Sequence, residues 1–215
     1  TSGFYKVLQP GESYQATPVA FGCVSGGIDE AGRERTLYKR WLKAPNPWEG
    51  ECPVFYNDYM NGIWSKPSLE RSIPLIDKAA EAGAEGFCID AHWHTALDNI
   101  HLGGLGDWEN SPDRFGDLGV EGIVQYIRDK GMIPGLWLEL DACQFEAKIY
   151  QKPDSWFLMR HGKRVGGNRC FFDFRNPEVR AYFHQVLDRL IAMGVGFFKN
   201  DYNQCPRYGD DKQGK

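Results

Sequence analysis

The chain has 215 residues, a formal net charge of −4 and a pI near 5.8, with 42% hydrophobic and 14% aromatic residues, seven of them Trp. That composition supports one sizeable core. It speaks against nucleic acid or an anionic membrane as partner, and no apolar run of about 18 residues is present to cross a bilayer as a helix. The six cysteines, at 23, 52, 88, 143, 170 and 205, include no C-x-x-C pair, so neither a zinc ribbon nor a thioredoxin-type motif is indicated.

Residues 1–24 hold Pro10-Gly11 between short apolar stretches (Phe4 and Val7, then Val19 and Phe21) and are expected to form strands and a turn. Too short to close a sheet, they read as the tail of a preceding domain. The opening Thr1-Ser2-Gly3 reads as a cut end, which leaves the compartment open between cytoplasm and export. Residues 25–52 form a connector: a helix within 26–45, with Leu37, Tyr38, Trp41 and Leu42 at helical spacing, then a proline-rich linker.

From residue 53 strand and helix alternate. Strands are expected at 53–57, 85–90, 132–138 and 195–200, and helices at 68–82 (with Pro74 inside it) and 120–130. A last helix is capped by Asn176, has Pro177 in its first turn and stops at Gly194. This order means a parallel sheet with helices outside. Cys88 falls in a strand as a buried thiol. The long segments 92–117 and 141–175 follow strands, where connections carry function.

Asp58, Asp90, Glu139 and Asp201 each come directly after an apolar strand. Parallel α/β sheets place their chemistry at that edge. Four converging carboxylates repel unless cations, hydrogen bonds or a polyol separate them. Trp93, Trp108 and Trp137 lie in or beside the same segments. Lys199, Asp201 and Asn203 continue the last strand with period two and face one side. The plain alternative is a Lys199–Asp201 ion pair closing the strand.

These segments resemble, in order, the motifs of melibiase-type α-galactosidases, family 36 of the glycoside hydrolases. Val54-Phe-Tyr-Asn57 resembles the first-strand text P-V-L-Y-N-x-W, and Phe87-Cys-Ile-Asp-Ala-His-Trp93 resembles F-V-L-D-D-G-W. Gly106-Asp-Trp108 with Phe115 resembles G-D-W…K-F, and Gly131-Met-Ile-Pro-Gly-Leu-Trp-Leu-Glu139 resembles G-M-x-x-G-L-W-x-E. Asp173-Phe-Arg-Asn-Pro-Glu-Val-Arg180 resembles D-L-S-N-P-E-V-R, and Lys199-Asn-Asp-Tyr-Asn203 resembles K-W-D-M-N. The resemblance implies an α/β fold: a partial (β/α)8 barrel of about four strand–helix units over 53–215, preceded by the last strands of a β-sandwich in 1–24. It implies a retaining glycosidase for α-galactosides or related α-linked sugars. Asp201 would be the nucleophile, Lys199 and Asp90 would contact sugar hydroxyls, and Trp137 and Tyr59 would line the pocket. Asn203, Trp93 and His92 complete the candidate substrate contacts. The implied partner is a carbohydrate, with no cofactor and no metal; homo-oligomerisation of a longer protein stays open.

Two departures concern the sugar. The family's second aspartate is Ala91 here and its glycine is His92, and the Trp of K-W-D is Asn200, with Gln204 for the following arginine. The family's acid/base, an aspartate after the sixth strand, has no counterpart in this chain, so the chain reads as a fragment that does not hydrolyse sugars by itself. Glu139 is the in-chain rival, because strands three and four are expected to be neighbours. Two other readings compete. One is a non-catalytic sugar binder on a glycosidase scaffold, suggested by Ala91. The other is a metal-dependent amidohydrolase-like enzyme, suggested by His92-x-His94, although that motif closes a first barrel strand and here a strand precedes it.

Overall fold

A computed structural model describes residues 7–16, 18–45, 52–64, 66–95, 104–111, 113–166 and 169–202, with only the backbone at 61 and 62. The chain forms two compact units, Thr1–Cys52 and Pro53–Lys215. In chain order the elements are α1 (Ile28–Leu42), β1 (Phe55–Asn57), α2 (Leu69–Glu81), β2 (Gly86–Ile89), α3 (Gly119–Asp129), β3 (Ile133–Leu138), β4 (Ala142–Gln144), β5 (Met159–Arg160), β6 (Lys163–Arg164), β7 (Arg169–Phe171), α4 (Pro177–Met193) and β8 (Phe197–Asn200).

In the first unit, α1 starts where the Glu30 carboxylate accepts the Gly27 N–H at 2.7 Å. Asp29 and Glu30 in its first turn and Lys39 and Arg40 in its last suit the helix dipole. The strands expected in residues 1–24 do not form in the described part, 7–16 and 18–24, which contains only the turn at Pro10-Gly11. A strand is held by ladder bonds to a neighbour, and no described segment pairs with this one.

The second unit is built on one parallel sheet, in the order β1-β2-β3-β8. Its strands and helices fall where the apolar runs place them. Successive strand residues alternate between faces. Phe87, Ile89, Leu136 and Leu138 go to the helix side. There they join Ile76 of α2, Val120, Ile123 and Ile127 of α3, and Val179, Phe183 and Leu190 of α4 in one core. Each such side chain contributes roughly 1.5–3 kcal/mol on burial. On the other face the outer strands supply Phe55 and Phe197, whose rings meet at 4.3 Å. The middle strands carry glycine there: a Cβ at Gly86 would stand 2.2 Å from the Phe55 ring, and one at Gly135 2.9 Å from that of Phe197.

Helix α2 runs through Pro74. The proline removes one backbone bond, but the burial of Ile76 and Ala79 beyond it holds the turn in place. Helix α4 has the expected ends: Asn176 Oδ1 accepts the Glu178 N–H at 2.9 Å, and Gly194 stops the helix at φ 108°. The long segment after β3 is more ordered than a loop. It folds into two antiparallel ribbons, β4 with β7 and β5 with β6.

Candidate active site

All four strands end at one edge, and the chemistry gathers in two linked groups there. In the first, Asp90 follows β2 and is 3% exposed. Its Oδ2 accepts Lys199 Nζ from β8 and Asn57 Nδ2 from β1, each at 2.6 Å. Its Oδ1 accepts the Ala91 N–H, and its own N–H donates to Asp58 Oδ1, both at 2.8 Å. Burial works against the Lys199 charge, but the hydrogen bond and charge of Asp90 outweigh it and raise the ammonium above its ordinary value. Lys199 therefore pairs with Asp90. The strand-end pair with Asp201 is not what forms, although the Asp201 charge also helps to hold Lys199 protonated.

In the second group Asp201 extends β8. Its Oδ2 accepts Trp137 Nε1 at 2.9 Å and its Oδ1 accepts the Tyr202 N–H at 2.8 Å. Burial pushes this carboxyl up, but those two donors and the charges of Lys199 and Arg169 overcome it. The group sits below the usual carboxylate range and is ionised. Glu139, beyond β3, is 2% exposed and its Oε1 is bound by Arg169 of β7. Burial lifts Glu139 to about 7, with Arg169 opposing and the charges of Asp141 and Asp201 adding. The Arg169 guanidinium also lies 4.6 Å from the centre of the Tyr202 ring.

The structure thus brings together Asp201, Lys199, Asp90 and Trp137. Tyr59 begins the turn after β1, its N–H bonded to Asn57 Oδ1 at 3.1 Å and its ring edge-on to Trp64. Trp93 is not a pocket surface. It is fully buried and donates through Nε1 to the Trp137 carbonyl at 2.8 Å, because the chain turns inward after Asp90. His92 is buried, at φ 76°, with Nδ1 3.4 Å from Thr95 Oγ1. His94 is enclosed by Trp93, Trp108 and Trp137, and burial lowers it to about 3. Its ring is neutral and caged, and among the described residues no three His, Cys, Asp or Glu side chains gather to hold a metal. Asn203 lies outside the described residues.

Sequence reading missed Asn57 and Arg169. Asn57 had a signal: it shares the face of Asp90 and ends β1. Arg169 had none, because its contact with Glu139 depends on how the ribbon folds back over 30 residues.

AgaA, an alpha-galactosidase of Geobacillus stearothermophilus, is 25% identical over 207 residues, covering 94% of this chain and 28% of its own length. Alpha-galactosidase Mel36A of Lactobacillus acidophilus is 26% identical over 202 residues, covering 92% and 27%. The chain thus spans under a third of the length of these curated relatives. Among solved structures, a variant of AgaA in complex with stachyose aligns with TM-score 0.64 at 21% identity, over 72% of this chain and 22% of that one. The alpha-galactosidase TtGalA of Thermus thermophilus, in complex with p-nitrophenyl alpha-D-galactopyranoside, aligns with TM-score 0.61 at 24% identity, over 75% and 32%. Both likenesses show the fold. The sequence model of the Melibiase family matches residues 13–208, nearly the whole chain, and on that match the chain belongs to the Melibiase family.

Proposed function

We propose that this chain carries the nucleophile side of a retaining glycosidase for α-galactosides or related α-linked sugars, on the first four strand–helix units of a (β/α)8 barrel spanning 53–215. The four-stranded parallel sheet supports the barrel assignment. The observation that carries the function is the Asp201 carboxylate, kept ionised by the Trp137 N–H beside the Lys199–Asp90 pair. An ionised carboxylate can attack C1 of a sugar whose hydroxyls the ammonium of Lys199 and the carboxylate of Asp90 receive.

Retention needs a second, protonated carboxyl about 5–5.5 Å from the first. The resemblance assigns it to a later strand, and no residue here matches it. Glu139 keeps a proton near neutral pH, but Arg169 holds one of its oxygens and the resemblance gives its counterpart no acid role. We assign it a supporting role. Ala91, His92 and Asn200 change the pocket wall that selects the sugar, which also keeps the binding-only reading in play.

A fluorinated α-galactosyl fluoride separates the two readings, because fluoride leaves without an acid. We expect a covalent sugar adduct on the peptide containing Asp201, absent in Asp201→Asn. Galactose binding with no adduct, or an adduct on another carboxylate, would overturn the assignment in favour of binding alone or a different nucleophile.

A further inference from the structure

Asp58 and Asp90 stand at the ends of neighbouring strands, 1% and 3% exposed, joined by the bond from the Asp90 N–H to Asp58 Oδ1. Their remaining contacts are unequal. Asp90 receives Lys199, Asn57 and the Ala91 N–H. Asp58 Oδ2 is buried with no partner among the described residues. Two buried carboxyl groups thus share one ammonium, and that ammonium already touches Asp90. A second buried anion with one oxygen unmet is costly, and a proton on that oxygen removes the charge, the larger part of that cost.

We propose that Asp58 is a positioning residue acting as a neutral acid: protonated on Oδ2, it holds the Asp90 backbone through Oδ1 and leaves Lys199 wholly to Asp90, and loss of that proton loosens the Asp90–Lys199 grip. Asp58 caps the helical turn that follows β1, is 1% exposed and meets Asp90 at its backbone, so it supports Asp90 without reaching a sugar. The inference deepens the glycosidase proposal and rests on Asp90 and Lys199 being the sugar contacts.

Three titratable groups near Asp58 keep their charge state through neutrality. Burial pushes Cys88 of β2 up to about 12, and burial with the Asp58 charge raises Tyr56 of β1, so both stay neutral. Lys199 of β8 stays charged. Burial and the Asp90 charge lift Asp58 to about 7, against the Asp90 N–H and Lys199. Once ionised, Asp58 repels the Asp90 carboxylate and competes for Lys199.

The test is spectroscopic and needs no ligand. In the whole chain, difference infrared spectra from about pH 5 to about pH 9 should show a protonated-carboxyl band lost with a midpoint near neutrality. Glu139 is also lifted to about 7, so the band is read in Glu139→Gln, where it should remain, and adding Asp58→Asn should remove it. The side-chain nitrogen resonance of Lys199 should move with the same midpoint, and should not move in Asp58→Asn. Galactose affinity measured calorimetrically should fall about fivefold across that midpoint, the worth of one hydrogen bond. It should be flat with pH in Asp58→Asn and weak throughout in Asp58→Ala. A Lys199 transition that survives Asp58→Asn, or a band that survives when Asp58→Asn is added to Glu139→Gln, overturns this proposal. Both transitions intact with no galactose binding at any pH sink the glycosidase reading and leave the Asp58 proton standing.

Discussion

The indole of Trp137 donates to Asp201 Oδ2 at 2.9 Å from a ring that cannot turn away. The His94 ring lies parallel to it, 4° between planes at 6.2 Å, Trp108 packs at 6.0 Å, and Trp93 holds the Trp137 carbonyl. The donor is therefore set before any substrate arrives. Trp137→Phe keeps the packing and removes the donor. A charge-assisted bond of this kind is worth about 1.5–3 kcal/mol, so the Asp201 midpoint should climb. Carbon NMR of the carboxyl group reads this directly; an unchanged midpoint would show that Trp137 does not set the ionisation.

Arg169 is the cation bonded to buried Glu139. Arg169→Met should cost about 2–4 kcal/mol in urea unfolding, because a buried carboxylate loses its partner. The sign with pH follows from Glu139 being lifted from 4.5 to about 7: the folded state holds the proton longer than the unfolded one, so stability falls as pH rises through that window. Without Arg169 the fall should extend to higher pH. Adding Glu139→Gln should restore most of the loss; failure to do so would mean that Arg169 acts through Tyr202 instead.

His94 works in the opposite direction. Its pKa drops from 6.5 to about 3, with burial first and the charges of His92 and Arg114 next. The neutral ring stabilises the fold above about 6.5, and this is lost as pH falls toward 3. His94→Phe should flatten the acid side of a plot of unfolding midpoint against pH. An unaltered acid limb would mean that the ring is not buried in solution.

Asn57 links two loops through one amide, donating to Asp90 and accepting from the Tyr59 N–H. Asn57→Asp should be worse than Asn57→Ala, since it sets a second carboxylate against Asp90. We expect about 1–2 kcal/mol lost for alanine and more for aspartate. Galactose affinity should fall in both variants if Asp90 grips the sugar.

The α/β alternation and the edge at which the site stands are legible in local pattern alone. Apolar runs of strand length, helices stopped by Gly131 and Gly194, and the Asn176 cap are local physics, so they survive into the fold with small changes of boundary. The positions of the four carboxylates at the strand ends follow from the same runs. Which partner each polar group takes is set by the packed fold. Side chains two apart on a strand point the same way but stand about 6.6 Å apart along it. The long Lys199 stem reaches over the level of Trp137, its register partner on β3, to Asp90 instead of closing on Asp201. Long-range packing also makes Trp93 core, brings Arg169 in from a ribbon folded back over 30 residues, and buries Asp58 with one oxygen unmet by any described residue. These outcomes depend on desolvation and long-range packing, which no local spacing encodes.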